Sequence, residues 1–180
     1  MVTSLIASMA ATSVFAESKV VTGSATTTGA AARLKFKVVI PEFISLKVGT
    51  GTIGANTATV DEITFSVPET EASNNTTIAG SSVAVQLSSN VGNVSFGSTG
   101  SPLTNGTETI ALSQISVTSS NSALPHPGFG AAATTLSPSA GTKVINSSAN
   151  WTFSYAHQGS TAPTGAGTFT TEITYTAAKP

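Results

Sequence analysis

Apolar and polar residues alternate along most of this chain, with the period of two that is typical of half-buried β-strands. The most regular stretch covers residues 33–48, where the apolar side chains share one parity and only Glu42 interrupts them. Because proline cannot donate a hydrogen bond to a strand ladder, Pro41 divides this stretch, and we predict two strand segments joined there. The apolar members are Leu34, Phe36, Val38, Ile40, Ile44, Leu46 and Val48.

Shorter alternating segments follow, and turn residues separate them. Gly, Asn, Pro and Ser dominate the intervals, and no stripe of helical period is sustained after residue 16. Several short strands with turn signals between them predict a single antiparallel β-sandwich at residues 33–180. The segments lie at residues 62–67, 83–87, 93–97, 108–118, 150–157 and 169–177.

The first sixteen residues have the pattern of an export signal. The apolar run LIASMAATSVFA ends in Val14-Phe15-Ala16, close to the small-x-small pattern that signal peptidase cleaves. We predict a signal peptide at residues 1–16 and export of the mature chain through the periplasm to the cell surface or the medium. The alternative is a buried N-terminal helix. No later stretch reaches the ~18–20 apolar residues of a membrane-spanning helix, so we expect no membrane span.

The amino-acid composition limits which partners this protein can bind and which chemistry it can perform. Charged residues make up 8 % of the 180 residues, and the net charge is −1. Because nucleic-acid-binding proteins are normally basic, we expect no nucleic-acid partner. The chain contains no cysteine, which excludes disulfides, thiolate metal ligands and a cysteine nucleophile.

Two patterns resemble ligand-binding motifs without completing them. Gly49, Gly51 and Gly54 have the glycine spacing of a dinucleotide-binding loop, but a strand former follows them where a helix is required, so we interpret them as a turn. The only two histidines, His126 and His157, lack the spacing of metal ligands, and we interpret them as loop residues.

Acidic residues bracket the 62–67 segment, at Asp61, Glu62, Glu69 and Glu71. They could form a glycosidase pair or a weak calcium site, although such residues are more often solvated strand ends. No Gly-x-Ser-x-Gly elbow accompanies the single aspartate. We therefore predict that the protein is not an enzyme and that it holds no metal and no cofactor.

Three other features are candidate binding surfaces. Arg33, Lys35 and Lys37 form a basic row that is either a face for a charged, acidic partner or the solvent side of an edge strand, where charge discourages aggregation. The Pro- and Gly-rich stretch at 119–143 is a candidate recognition loop. An aromatic row either stacks on sugars or, as we favour, forms the core of a central strand; it comprises Trp151, Phe153 and Tyr155.

The C-terminal segment AGTFTTEITYTAAKP, with the leader and the Thr-, Ser-, Gly- and Ala-rich composition, resembles the ending of chaperone–usher fimbrial subunits (pilins) and of spore-coat-U-like secreted proteins. The resemblance implies an immunoglobulin-like sandwich that lacks one strand, which a neighbouring subunit supplies by β-augmentation. It implies that residues 17–32 are the donated N-terminal extension, with contacts at Val21 and Ala25. It also implies that the terminal core strand contains Phe169, Ile173 and Tyr175.

Two functions remain open from the sequence. The first is an exported structural subunit of a bacterial surface fibre that supports adhesion, with identical or homologous subunits as partners and a periplasmic chaperone and an outer-membrane usher as assembly factors. The alternative is a self-complete extracellular binding domain that uses the loop at 119–143.

Overall fold

The computed structural model describes residues 17–23, 29–162 and 164–180 and divides the chain into two compact units between Ile40 and Pro41. The expected signal peptide at 1–16 and the expected contact residue Ala25 lie outside the described residues. In the first unit, residues 17–23 and 29–40 contain no β-strand.

The second unit is almost entirely β-structure, and each of its strand pairs is antiparallel. This confirms the prediction of an all-β protein with antiparallel sheets. Two three-residue 3-10 helices, Glu69–Glu71 and Leu112–Gln114, interrupt the connections. The strands are β1 (Ile44–Val48), β2 (Asn75–Ser89), β3 (Val94–Gly100), β4 (Leu103–Thr104), β5 (Thr109–Ile110), β6 (Ile115–Ser119), β7 (Thr134–Leu136), β8 (Ile145–Gln158) and β9 (Ile173–Ala178).

The strands form two main sheets and one small hairpin. The first sheet has the order β1-β2-β8-β6, the second has the order β7-β3-β9, and β4 pairs with β5. The long strands β2 and β8 form the centre of the first sheet, with Val83 opposite Trp151 and Leu87 opposite Ser147. A register shift between Ala79 and Ser82 bends β2 away from a regular ladder.

The core lies between the inward faces of the two main sheets, which gives the unit a sandwich-like character. Alternation buries Val85 and Leu87 on β2 and Phe96 on β3, while Trp151 and Phe153 contribute from β8. Trp151 is fully buried, and its Nε1–H donates to the Leu124 carbonyl oxygen at 3.2 Å. The aromatic row of β8 is therefore core, as favoured from its parity, and the sugar-stacking alternative for it is wrong.

The predicted strand at residues 33–40 is wrong, although its second half at 44–48 is confirmed as β1. Residues 33–40 form no strand, and the Phe36 and Val38 side chains are 84% and 83% exposed. Alternation specifies which faces a strand would present, but it does not specify whether a pairing strand exists.

Three other boundaries differ from the predictions. Residues 62–67 form no strand, although Ile63 and Phe65 keep the alternation and pack half-buried against the core. The terminal strand begins at Ile173, and before it Thr170 makes only an isolated bridge to Thr104. The stretch at 119–143 is not one open loop, since it contains β7 and the buried Leu124.

Candidate functional site

The most unusual surface of the described chain is an exposed apolar segment, residues 34–40. Its apolar side chains are more than half exposed, and at Leu34 the exposed fraction is 57%. Single exposed apolar residues are ordinary, but a contiguous run of them marks an interaction surface. The exposed members are Leu34, Phe36, Val38, Val39 and Ile40.

The basic row lies on the opposite parity of the same stretch. Arg33, Lys35 and Lys37 are all exposed. The Arg33 guanidinium donates to the Glu17 carboxylate at 2.8 Å, an ion pair that is largely solvated and therefore contributes little stability. Val21, the described member of the expected contact pair in the extension, is half-buried and lies outside any strand.

Strand β9 carries two of the residues expected in the terminal core strand. Ile173, Tyr175 and Ala177 face inward and are half-buried, while the alternate positions are exposed. Phe169 is also half-buried but precedes the strand, so the structure does not bring it into the ladder with Ile173 and Tyr175.

The outer edge of β9 pairs with no strand in the part of the chain that the structure describes, although β1 of the other main sheet lies close to β9. β9 pairs with β3 on one side and ends the order β7-β3-β9 on the other. An edge strand presents a row of unpaired N–H and C=O groups, which is a template for another strand. Near this edge Lys179 Nζ donates to the Glu42 carboxylate at 2.8 Å, which joins the end of β9 to the approach to β1.

The core is less completely covered near β1 and β9 than at its centre. Leu87, Phe96 and Trp151 on the inner strands are fully buried. Ile44 and Leu46 on β1 and Tyr175 on β9 are also in contact with the core, but they stay only half-buried. The contact face of an additional strand would cover such residues further.

The glycine-rich stretch is a turn, as interpreted from the sequence. Gly49 and Gly54 have positive φ values of 93° and 78°, which suit a tight turn. Asp61 closes this turn, because its carboxylate accepts hydrogen bonds from the Thr50 backbone N–H and from Thr50 Oγ1 at 2.7 Å. The Asp61 carboxylate therefore stabilises this turn.

His126 lies in a loop, as expected, but the expectation of a loop is wrong for His157, and both side chains are packed. His157 is the penultimate residue of β8, is 8% exposed, and its Nε2 lies 3.0 Å from the Ala72 carbonyl oxygen. His126 lies in a cluster of aromatic rings, with ring centroids 4.8 Å from Trp151 and 4.7 Å from Phe129. Its Nε2 lies 2.9 Å from the Tyr175 hydroxyl oxygen.

The cluster around His126 was not predicted from the sequence. The two prolines that flank the residue in LPHPG were a signal that the backbone there is rigid. Its ring partners Trp151 and Tyr175 lie 25 and 49 positions further along the chain, so only the folded sheet brings them together.

A cleft of about 360 Å³ adjoins this cluster, between the edge strand β6 and the loop that carries His126. Its walls are mainly apolar, with Ile115 and Val117 on β6 and Phe129 on the loop. No charged side chain lines the cleft. It could therefore accept an uncharged group with an apolar face.

The described residues form no metal-binding cluster and no membrane-spanning helix. Among residues 17–23, 29–162 and 164–180, no three His, Asp or Glu side chains converge as metal ligands. None of the helices described here has the length and apolar character required to cross a bilayer.

No protein-family model matches the chain, and no curated protein matches it in sequence.

Proposed function

We propose that the protein is an exported structural subunit of a bacterial surface fibre, assembled by non-covalent strand exchange between identical or homologous copies. One observation carries the proposal. The exposed apolar segment has the alternation of a strand but pairs with none, so its apolar parity is available to a partner chain.

The donated strand in this proposal is residues 33–40 and not residues 17–32. Phe36, Val38 and Ile40 are large enough to fill a groove, whereas the side chains at 17–32 are mostly small or polar. These three side chains share one face of the segment, so pairing with another strand would bury them together. Burying a side chain of this size stabilises by about 1.5–3 kcal/mol. Arg33, Lys35 and Lys37 would then face solvent and oppose unregulated edge-to-edge association.

The receiving site in this proposal is the free edge of β9 on a neighbouring copy. Eight extended residues span roughly 26 Å, which is enough to follow a six-residue strand along its whole length. An incoming strand there would supply partners for the edge backbone groups and cover Ile173 and Tyr175. The complete sandwich would then be immunoglobulin-like, and a periplasmic chaperone and an outer-membrane usher are the expected assembly factors for the exported subunit.

Two double variants, one on the apolar face and one on the basic face of residues 33–40, test the proposal. We expect the wild-type mature chain to form concentration-dependent polymers, and the double variant Phe36→Ser/Val38→Ser to remain monomeric, because it removes the side chains that pairing would bury. The matched control Lys35→Ser/Lys37→Ser changes the other parity of the same segment and should still assemble. Light scattering after size-exclusion chromatography, with electron microscopy of the polymers, gives the readout.

A wild-type chain that stays monomeric at high concentration would reject strand exchange. The second candidate, a self-complete extracellular binding domain, would then take precedence. The cleft beside His126 favours that candidate, because its wall includes Gly128 and Phe129 from the stretch at 119–143.

A further inference from the structure

His126 joins two parts of the second unit that are distant in sequence. Its Nδ1 accepts a hydrogen bond from the Gly128 backbone N–H at 3.1 Å, within its own loop. Its Nε2 lies 2.9 Å from the hydroxyl oxygen of Tyr175 on β9. The ring thus connects residues 125–129, named here the His126 loop, to the terminal strand.

The hydrogen bonds specify which nitrogen carries the proton. A backbone N–H can only donate, so Nδ1 must have a free lone pair to accept from Gly128. In a neutral imidazole the proton is then on Nε2, which donates to the Tyr175 hydroxyl oxygen. A second proton on Nδ1 would place two N–H donors against each other, and the Gly128 bond would be lost.

We propose that His126 is an acid-sensitive latch, which holds the His126 loop against β9 while its ring is neutral and releases the loop when the ring is protonated. The device does not require strand exchange, because its bonds lie within one copy of the second unit. Release would separate Phe129 from the rings around His126. The apolar cleft next to β6 would then widen and become more exposed.

The aromatic packing around the ring opposes its positive charge, although one side of His126 lines the cleft. Trp151 and Phe153 from β8 and Phe129 from the loop are uncharged, and among the described ring contacts Tyr175 from β9 is the titratable side chain. Burial raises the pKa of Tyr175 to about 12, so its hydroxyl keeps its proton at neutral and acid pH. No carboxylate in the described chain hydrogen-bonds His126 and offsets the charge.

The direction of the pH effect follows from this burial. Burial lowers the pKa of His126 from 6.5 to about 4 in the closed state, whereas a released, hydrated ring has the ordinary value. Between those two values an open state binds the proton and the closed state does not. The closed state therefore loses stability as the pH falls from about 6.5 to about 4, and it is fully stable above that range.

Proton NMR of the two histidines tests the latch on the full mature chain, held dilute so that it stays monomeric. We expect the His126 C2 proton to titrate well below pH 6.5, and the Gly128 amide to lose its protection from hydrogen exchange over the same range. Binding of an apolar fluorescent dye should rise together with that loss, since the cleft opens.

Two substitutions separate the latch from general acid unfolding. His126→Gln keeps a polar group near Tyr175 but has no titrating ring, so the exchange and dye transitions above pH 4 should disappear. His157→Gln removes the other histidine and should leave both transitions in place. The latch is refuted if His126 titrates near pH 6.5 without a change at Gly128, or if His126→Gln retains the transitions.

Discussion

At the scale of single residues, Trp151 connects several separate parts of the core. Its ring contacts Phe96 and Tyr175, with centroids 6.0 and 5.1 Å away, and its indole N–H donates to the Leu124 carbonyl oxygen. It therefore joins β8 to two of the three strands of the opposite sheet, β3 and β9, and to the stretch that precedes the His126 loop. The next residue, Thr152, points outward and shares a hydroxyl hydrogen bond of 2.7 Å with Ser82.

Trp151→Ala should lower the free energy of unfolding by about 3–5 kcal/mol, because it opens a cavity in the core and leaves the Leu124 carbonyl without this donor. Thr152→Ala, one position away on the exposed face, should cost under about 0.5 kcal/mol. Denaturant melts of both variants measure the difference. Equal losses would mean that the inward orientation of Trp151 and the outward orientation of Thr152 on β8 are wrong.

At the scale of elements, the alternating pattern located the strands in the centre of each main sheet but predicted only part of their length, such as residues 83–87 of β2 and 150–157 of β8. β2, β3 and β8 each have apolar residues at alternate positions, and the side chains at those positions face the core. The pattern failed at residues 33–40, because it carries no information about partners. It also could not reveal the contact between His126 and Tyr175, which depends on how the stretch at 119–143 folds back on β9.

The start of β1 depends on a side chain and not only on the ladder. Asn90 follows β2, and its Nδ2 donates to the Pro41 carbonyl oxygen at 2.8 Å. Its Oδ1 accepts from the Phe43 backbone N–H, also at 2.8 Å. The side chain therefore fixes the path of the chain into β1, where Pro41 has no N–H to offer.

Asn90→Ala should lower the free energy of unfolding by about 1–2 kcal/mol, since two partly exposed hydrogen bonds are lost. Hydrogen exchange of the β1 amides should increase more than that of the β8 amides. Asn93→Ala, in the exposed turn that follows, is the matched control and should change neither quantity appreciably. Unchanged β1 exchange in the Asn90 variant would show that the ladder alone holds this strand.

At the scale of the whole molecule, the second unit contains the described sheets and the hydrophobic core, and the first unit contains the exposed apolar segment. The core and the segment with the largest exposed apolar side chains thus belong to different units. Folding stability and association should consequently respond to different substitutions.

A chain that begins at Pro41 should unfold, at low concentration, with the same free energy as one that begins at Glu17, to within about 0.5 kcal/mol. Of the described residues removed, all but the half-buried Val21 are exposed, so we expect their loss to cost the folded monomer little. At high concentration only the longer chain should gain in Tm, because association stabilises the folded state by mass action. Thermal melts across a concentration series decide this. If the chain that begins at Pro41 has a much smaller free energy of unfolding at low concentration, folding stability and association do not depend on different parts of the chain.

The pairing of β2 with β8 has a consequence for the rate of folding. Ser82 and Thr152 are neighbours in the sheet but lie 70 positions apart in sequence, so their contact requires closure of a long loop before any ladder is gained. Sheets built from such distant pairs fold slowly, on the scale of about milliseconds to seconds. During that interval the apolar faces of the unfinished sheet would be open to solvent. The time for which the nascent chain needs protection is therefore set by its central strand pair.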